Sequence, residues 1–105
     1  MELPEITRRV AARVIAASDA AAELLSGKVI LFDFGAAGCV RIDGRSTPFA
    51  VDNADGAADC LLRLSIADFI DIASGRRSAQ TAYLTGKLAI RGDLVTVRRL
   101  SALFG

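Results

Sequence analysis

The first quarter of the chain repeats apolar residues every three or four positions, the spacing that places one apolar stripe along a helix. The stripe runs through residues 5–26 and stops at Gly27, which predicts a single long helix. At residue 29 the period changes to two. The β-branched and aromatic run over residues 29–34 therefore predicts a strand. Its inward residues are predicted to be Ile30, Phe32 and Phe34.

Four shorter apolar runs follow, each bounded by turn-forming residues, and each predicts a further strand. They span residues 38–44, 49–51, 60–64 and 88–91. The connections among the first four strands have the length of hairpin turns, which favours antiparallel neighbours.

Three more helices are predicted in the second half. Ser65 has the position of an N-cap, residues 78–85 form a short helix, and Asp93 caps a last helix. Helices beside a mostly antiparallel sheet define an α+β fold. The sequence thus predicts one domain over residues 1–105, with a five-stranded, mostly antiparallel sheet and helices packed on one face.

Composition narrows the possible chemistry. The chain has 105 residues, 52% of them hydrophobic, which suits one folded domain. It has no histidine, which excludes Ser-His-Asp and Cys-His nucleophiles and nearly all transition-metal sites. Asp43, Asp52, Asp55 and Asp59 flank predicted turns, where aspartate bonds to the backbone. We therefore expect no enzymatic activity, no cofactor and no metal.

The two cysteines and the first residues bear on location. Cys39 and Cys60 lack the C-x-x-C spacing of a zinc or redox site, although one disulfide is allowed by their number. Residues 1–5 are acidic where a secretion signal is basic, so we expect reduced thiols and a cytoplasmic protein. The apolar runs are far shorter than the ~20 residues needed to cross a bilayer.

Charge is distributed unevenly along the chain. Residues 76–105 carry six basic side chains against one acidic, whereas residues 1–75 carry seven basic and eleven acidic. Such a positive end can dock weakly on an anionic surface, and the alternative is ordinary solvated surface. Tyr83 is the one aromatic residue between Arg76 and Arg99, too little for the stacking surface of a nucleic-acid binder. We expect no nucleic-acid partner.

Three motifs in the second half resemble the SCP-2 sterol-binding domain family, named for sterol carrier protein 2. Residues 59–69 have the pattern D-x-x-x-x-x-S-x-x-D-F, and residues 82–93 read A-Y-L-T-G-K-L-A-I-R-G-D. Residues 100–104 close the chain with L-x-x-L-F.

The resemblance implies an apolar tunnel under the helices that binds and transfers a fatty acid, acyl-CoA, phospholipid or sterol without catalysis. Because the chain ends soon after the last helix, it suggests a stand-alone, bacterial-type domain. By position in the family, the tunnel wall comprises Phe32, Phe34, Leu62, Leu64, Phe69, Ile72, Tyr83, Leu84, Leu88, Ile90, Leu100, Leu103 and Phe104. Transient contact with an anionic membrane is expected through Arg76, Arg77, Arg98 and Arg99.

Two alternatives stay open. The same apolar residues can fill a packed core as readily as they can line a tunnel. A domain of this fold with a filled core would then act as an accessory module that binds a protein partner in lipid or quinone metabolism. An enzyme is the more remote alternative, with Tyr83 as its candidate polar group.

Overall fold

The computed structural model describes residues 2–17 and 19–104, with all their side chains other than those of residues 20, 21, 24 and 100–104. The helices are α1 (Leu3–Ala16), α2 (Asp19–Leu25), α3 (Ile66–Ala73), α4 (Ala79–Leu84) and α5 (Leu94–Phe104). The strands are β1 (Val29–Asp33), β2 (Cys39–Asp43), β3 (Ala50–Asp52), β4 (Cys60–Arg63) and β5 (Ala89–Gly92), and a one-turn 3-10 helix, Gly35–Ala37, joins β1 to β2.

The five strands form one mixed sheet in the order β3-β2-β1-β4-β5. Three of its four strand pairs are antiparallel, and β1 pairs with β4 in parallel. The prediction of an α+β fold with a mostly antiparallel sheet is therefore confirmed. The expectation of hairpin neighbours throughout β1–β4 is wrong for β4. The chain crosses from the β3 edge to the far side of β1, because the buried strand β1 needs a partner on both sides.

The sheet register places one apolar row against the helices. Phe32 of β1 lies between Val40 of β2 and Leu62 of β4, and Leu62 lies opposite Ile90 of β5. These residues join the core with side chains from α1, α2 and α4, and alternate strand residues point to the other face because the side-chain period is two. The helices thus cover one face, as predicted.

The predicted long helix over residues 5–26 is wrong. Helix α1 ends at Ala16, Ala17 has an extended backbone with ψ of 143°, and α2 begins at Asp19. The apolar spacing continues through both helices because each buries residues of the same stripe, including Ile6, Val10 and Leu25.

The predicted caps of the later helices are confirmed. The Ser65 hydroxyl accepts a hydrogen bond from the Asp68 amide at 3.0 Å, at the start of α3. Asp93 accepts from the Val95 amide at 3.0 Å and from the Thr96 hydroxyl at 2.7 Å, at the start of α5. A hydroxyl or carboxylate at this position satisfies amides that a helix leaves without an internal partner.

The topology also separates the two cysteines. Cys39 lies on β2 and Cys60 on β4, and β1 runs between these strands. Because neighbouring strands lie ~4.8 Å apart, the two Cα atoms are farther apart than the ~7 Å limit for a disulfide. Both thiols are free and buried.

Candidate functional site

A largely apolar cleft of about 590 Å³ lies between the sheet and the helices. Its floor comes from the covered face of the sheet and the segments next to it, namely Phe32, Leu62, Leu64 and Leu88. Its walls are Phe69, Ile72 and Ala73 of α3, Val97 of α5 and Ala79 of α4. A cleft of this volume lies within the range of about 300–1,000 Å³ that small-molecule sites occupy.

Helix α3 is fixed on the sheet by aromatic contacts. The Phe69 ring packs edge-on against Phe32, with centroids 5.4 Å apart, and against Phe34, with centroids 5.5 Å apart. Edge-to-face pairs at these distances are favourable because the positive edge of one ring meets the negative face of the other. Phe69 therefore supports the helix and lines the cleft with the same side chain.

The polar groups of the cleft lie on the connection between α3 and α4 and on α1. Arg77 donates from Nη1 to Asp68 Oδ1 at 3.0 Å, and its amide donates to the Asp71 carbonyl at 3.1 Å. Ser78 caps α4 by accepting from the Thr81 amide at 3.0 Å. Arg13 of α1 lines the same cleft. The cleft thus has an apolar interior and a basic rim.

A second cleft of about 560 Å³ adjoins the first, between α1 and α3. The residues common to both are Arg13, Phe69, Ala73 and Ser74. The small side chains Ala12 and Ala16 of α1 leave this space open. The two clefts therefore meet at the end of α3.

The sequence profile of one family, the SCP-2 sterol transfer family, matches residues 7–105. The chain belongs to this family. The family resemblance seen in the sequence motifs is thereby confirmed. The family is named for sterol transfer, which is a form of lipid binding and transfer. No curated protein matches this SCP-2 sequence closely enough to serve as a relative.

Several solved structures share the fold of this SCP-2 domain. The sterol carrier protein domain 2 of Helicoverpa armigera is 18% identical, with a TM-score of 0.79 over 94% of this chain and 82% of that one. Palmitated SCP2L2 from Aedes aegypti is 19% identical, with a TM-score of 0.71 over 99% and 95%. UbiJ-SCP2, a ubiquinone synthesis protein, is 21% identical, with a TM-score of 0.71 over 95% and 93%.

The structure brings six of the predicted wall residues together. The cleft is lined by Phe32, Leu62, Leu64, Phe69, Ile72 and Leu88. Phe34 is buried in the core beside Phe69, and Ile90 packs partly buried against that core. The side chains of Leu100, Leu103 and Phe104 lie outside the described residues.

The prediction that Tyr83 and Leu84 point inward is wrong. Tyr83 is 52% exposed, Leu84 is 73% exposed, and neither lines the cleft. The reason is the shortness of α4, which has six residues and turns only Ala82 into the core. The three consecutive apolar residues Ala82, Tyr83 and Leu84 point in different directions around the helix, so a helix of fewer than two turns buries only one of them.

Sequence reasoning did not identify the rim of the cleft. Arg13 lies three residues after Val10 and next to Val14, both packed in or against the core, so its position on the edge of the apolar stripe was the available signal. The small residues 73–75 and 78–79 also line the cleft. The signal in the sequence that could have identified them is the set of small side chains between α3 and α4, which leaves space beside the core.

The four predicted membrane-contacting arginines fall into two pairs. Arg76 is ion-paired with Asp71 at 3.3 Å, and Arg77 with Asp68 at 3.0 Å. Arg98 and Arg99 are exposed on α5.

Four reactive side chains have pKa values shifted away from neutral pH. Burial raises the pKa of the Cys60 thiol to about 11 and also raises that of Cys39. Hydrogen bonds from Arg41 and from Thr96 hold the pKa values of Asp52 and Asp93 below the usual 3.8. General acid–base catalysis is most effective with a pKa close to the working pH, and the shifts of these four groups lead away from it. Among residues 2–17 and 19–104, three or more metal-ligating side chains do not come together, and no helix is long and apolar enough to span a bilayer.

Proposed function

We propose that this protein binds one hydrophobic lipid in the cleft beneath α3 and transfers it between membranes, without catalysing a reaction. The observation that carries the proposal is the apolar cleft of about 590 Å³ on the helix-covered side of the sheet. A fatty acyl chain is the ligand we favour within the class of fatty acids, acyl-CoA, phospholipids and sterols. A structural neighbour 19% identical is described as palmitated, which supports that choice.

The energetics of an acyl chain suit a carrier. Removing a methylene from water is favourable by about 0.8 kcal/mol, so the chain prefers the cleft to the aqueous phase. A bilayer offers the same gain, because its interior is equally apolar. A lipid held in the cleft can therefore cross water and still leave into a membrane.

We propose further that the protein works in the cytoplasm and touches anionic membranes transiently. The two free thiols are compatible with a reducing compartment. Arg76, Arg77, Arg98 and Arg99 would make the contact, weakened by the carboxylate partners of the first two. Measuring lipid transfer between anionic vesicles at low and high salt tests this, since docking of this kind is screened by salt. Transfer that is independent of salt would refute the contact.

The central experiment compares two variants of α3. Ala73 lines both clefts, whereas Ala67 is exposed on the same helix and lines neither. Replacing Ala73 with Phe should fill the junction and lower the affinity for a fluorescent fatty acid at least about tenfold, the loss expected when an acyl chain of several methylenes is displaced. Ala67→Phe carries the same change in helix propensity and should bind as the wild type does.

Native mass spectrometry of freshly purified protein supplies the independent measurement. A co-purified acyl lipid, released by organic extraction, supports the carrier function and identifies the ligand class. A bare 11.0 kDa chain that also fails to bind the fluorescent fatty acid refutes it. That result would turn attention to the accessory module in lipid or quinone metabolism, because UbiJ-SCP2, a ubiquinone synthesis protein, shares the fold.

A further inference from the structure

The charged groups that line the two clefts are all cationic. Arg77 lines the first cleft, Arg9 lines the second, and Arg13 lines both. Among the described residues, no carboxylate forms part of either wall. The remaining polar side chains are the hydroxyls of Ser74 and Ser78. An amphiphile bound here would therefore meet positive charge at its polar end.

Two of the three guanidinium groups already have counter-ions. Arg77 pairs with Asp68 at 3.0 Å, and Arg9 pairs with Glu5 of the same helix at 3.3 Å. The Arg13 guanidinium has neither a hydrogen bond nor an ion pair with any other part of the described chain. It is thus the cation in the cleft walls that retains its full capacity to bind an anion.

The position of Arg13 on α1 explains how it serves an apolar cleft. It lies three residues, about one helical turn, after Val10, which is fully buried, and next to Val14, which packs against the core. An arginine at such a boundary lays its methylene stem along the apolar wall and keeps the charged group in water. An anion at the cleft mouth would then stay hydrated while the attached chain is buried, which avoids the cost of burying a charge.

We propose that Arg13 is the head-group anchor of the cleft and binds the carboxylate of a long-chain fatty acid, whose alkyl chain runs past Phe69 over the cleft floor. The planar guanidinium can donate two parallel hydrogen bonds to a carboxylate. The inference rests on the proposed lipid-binding function and deepens it, since it selects an anionic single-chain lipid over a neutral one. Sterols and fatty alcohols have no group that makes this contact.

The test measures two ligands against two variants by displacement of a fluorescent fatty acid. Palmitate and hexadecanol have the same chain and differ in the charge of the head group. Arg13→Gln should weaken palmitate about tenfold, the value of one charge-assisted contact, and leave hexadecanol unchanged. Arg8→Gln is the matched control, because Arg8 is an exposed arginine of α1 that lines neither cleft. It removes the same charge and should leave both affinities unchanged.

The outcomes separate the two proposals. If the wild type binds neither ligand, the lipid-binding function itself fails. If the wild type binds both ligands, lipid binding stands. The role of Arg13 is then overturned if Arg13→Gln lowers the affinities for palmitate and hexadecanol equally, or lowers neither. An equal loss of palmitate in Arg8→Gln would also overturn it, because the effect would then come from general charge.

A measurement on the wild-type protein guards against an effect of Arg13→Gln on folding. Palmitate labelled with carbon-13 in its carboxyl group reports its own protonation by NMR. A neighbouring guanidinium favours the charged form, so the carboxyl pKa should be lower in the complex than for palmitate in detergent micelles. A pKa that is equal or higher in the complex would contradict the contact with Arg13.

Discussion

The ring of Phe69 stands edge-on to the ring of Phe32, with their centroids 5.4 Å apart and an angle of 76° between the planes. Helix α3 is joined to the sheet at this contact, and the same two side chains line the cleft. If the cleft binds lipid as we propose, stability and ligand binding are coupled through this aromatic pair. A ligand that fills the cleft would make further contacts with α3 and so stabilise the folded protein.

Replacing Phe69 with Ala should lower the free energy of unfolding by about 2 kcal/mol, less than the loss for a fully buried ring because Phe69 is only half-buried. Urea denaturation followed by circular dichroism measures the change. Tyr83→Ala is the control, since Tyr83 is 52% exposed and its loss should cost no more than about 0.5 kcal/mol. Equal losses in the two variants would contradict the role assigned to Phe69.

The buried hydroxyl of Thr96 should make stability depend on pH through Asp93. Thr96 is fully buried and donates to Asp93 Oδ2 at 2.7 Å, the main reason why the pKa of Asp93 lies below its ordinary value of 3.8. A carboxylate whose pKa is lowered by folding stabilises the fold above its unfolded pKa and loses this contribution as the pH falls through the folded pKa.

Thr96→Val keeps the shape of the side chain and removes the donor. It should destabilise the protein at neutral pH, because the charged Asp93 carboxylate loses its shortest hydrogen bond. The difference from the wild type should shrink as the pH falls from 3.8 through the lower pKa that Asp93 has in the folded protein. Urea denaturation over a pH series checks this, and a difference that grows in acid would have the wrong sign.

Gly92 should tolerate no side chain. Its φ is +97°, and a Cβ atom there would collide with the Asp59 carbonyl, which accepts a hydrogen bond from the Asp93 amide at 3.0 Å. Gly92→Ala should therefore cost more than the roughly 1–2 kcal/mol of left-handed backbone alone. Gly86 has a φ of +78° with open space around it, so Gly86→Ala should show only the backbone cost. In thermal unfolding, the midpoint temperature of Gly92→Ala should lie well below that of Gly86→Ala.

Local sequence signals predict the structure correctly where a residue type has one common structural role, as a helix cap or as an inward strand position does. Ser65 and Asp93 begin helices because their oxygens accept the first free amides, and the alternation over residues 29–34 gave β1 its inward face. The prediction of one long helix is wrong because the apolar stripe of α2 continues that of α1. Periodicity shows which face is apolar and does not show a break in the backbone between two helices that share that face.

The sequence by itself determined the α+β class, the positions of the five strands and of helices α3, α4 and α5 along the chain, and the family, and its motifs pointed to six of the residues that line the cleft. These follow from periodicity, caps and motifs, each of which is local. Only the tertiary structure decided that β4 lies parallel to β1, that Tyr83 and Leu84 face outward, and that Arg13 meets Phe69 and Ala73 at the junction of two clefts. Strands β1 and β4 pair at residues thirty apart, such as Ile30 and Cys60, and Arg13 and Phe69 are still farther apart in the chain. These relationships depend on how helices of given lengths cover a twisted sheet, which local spacing does not encode.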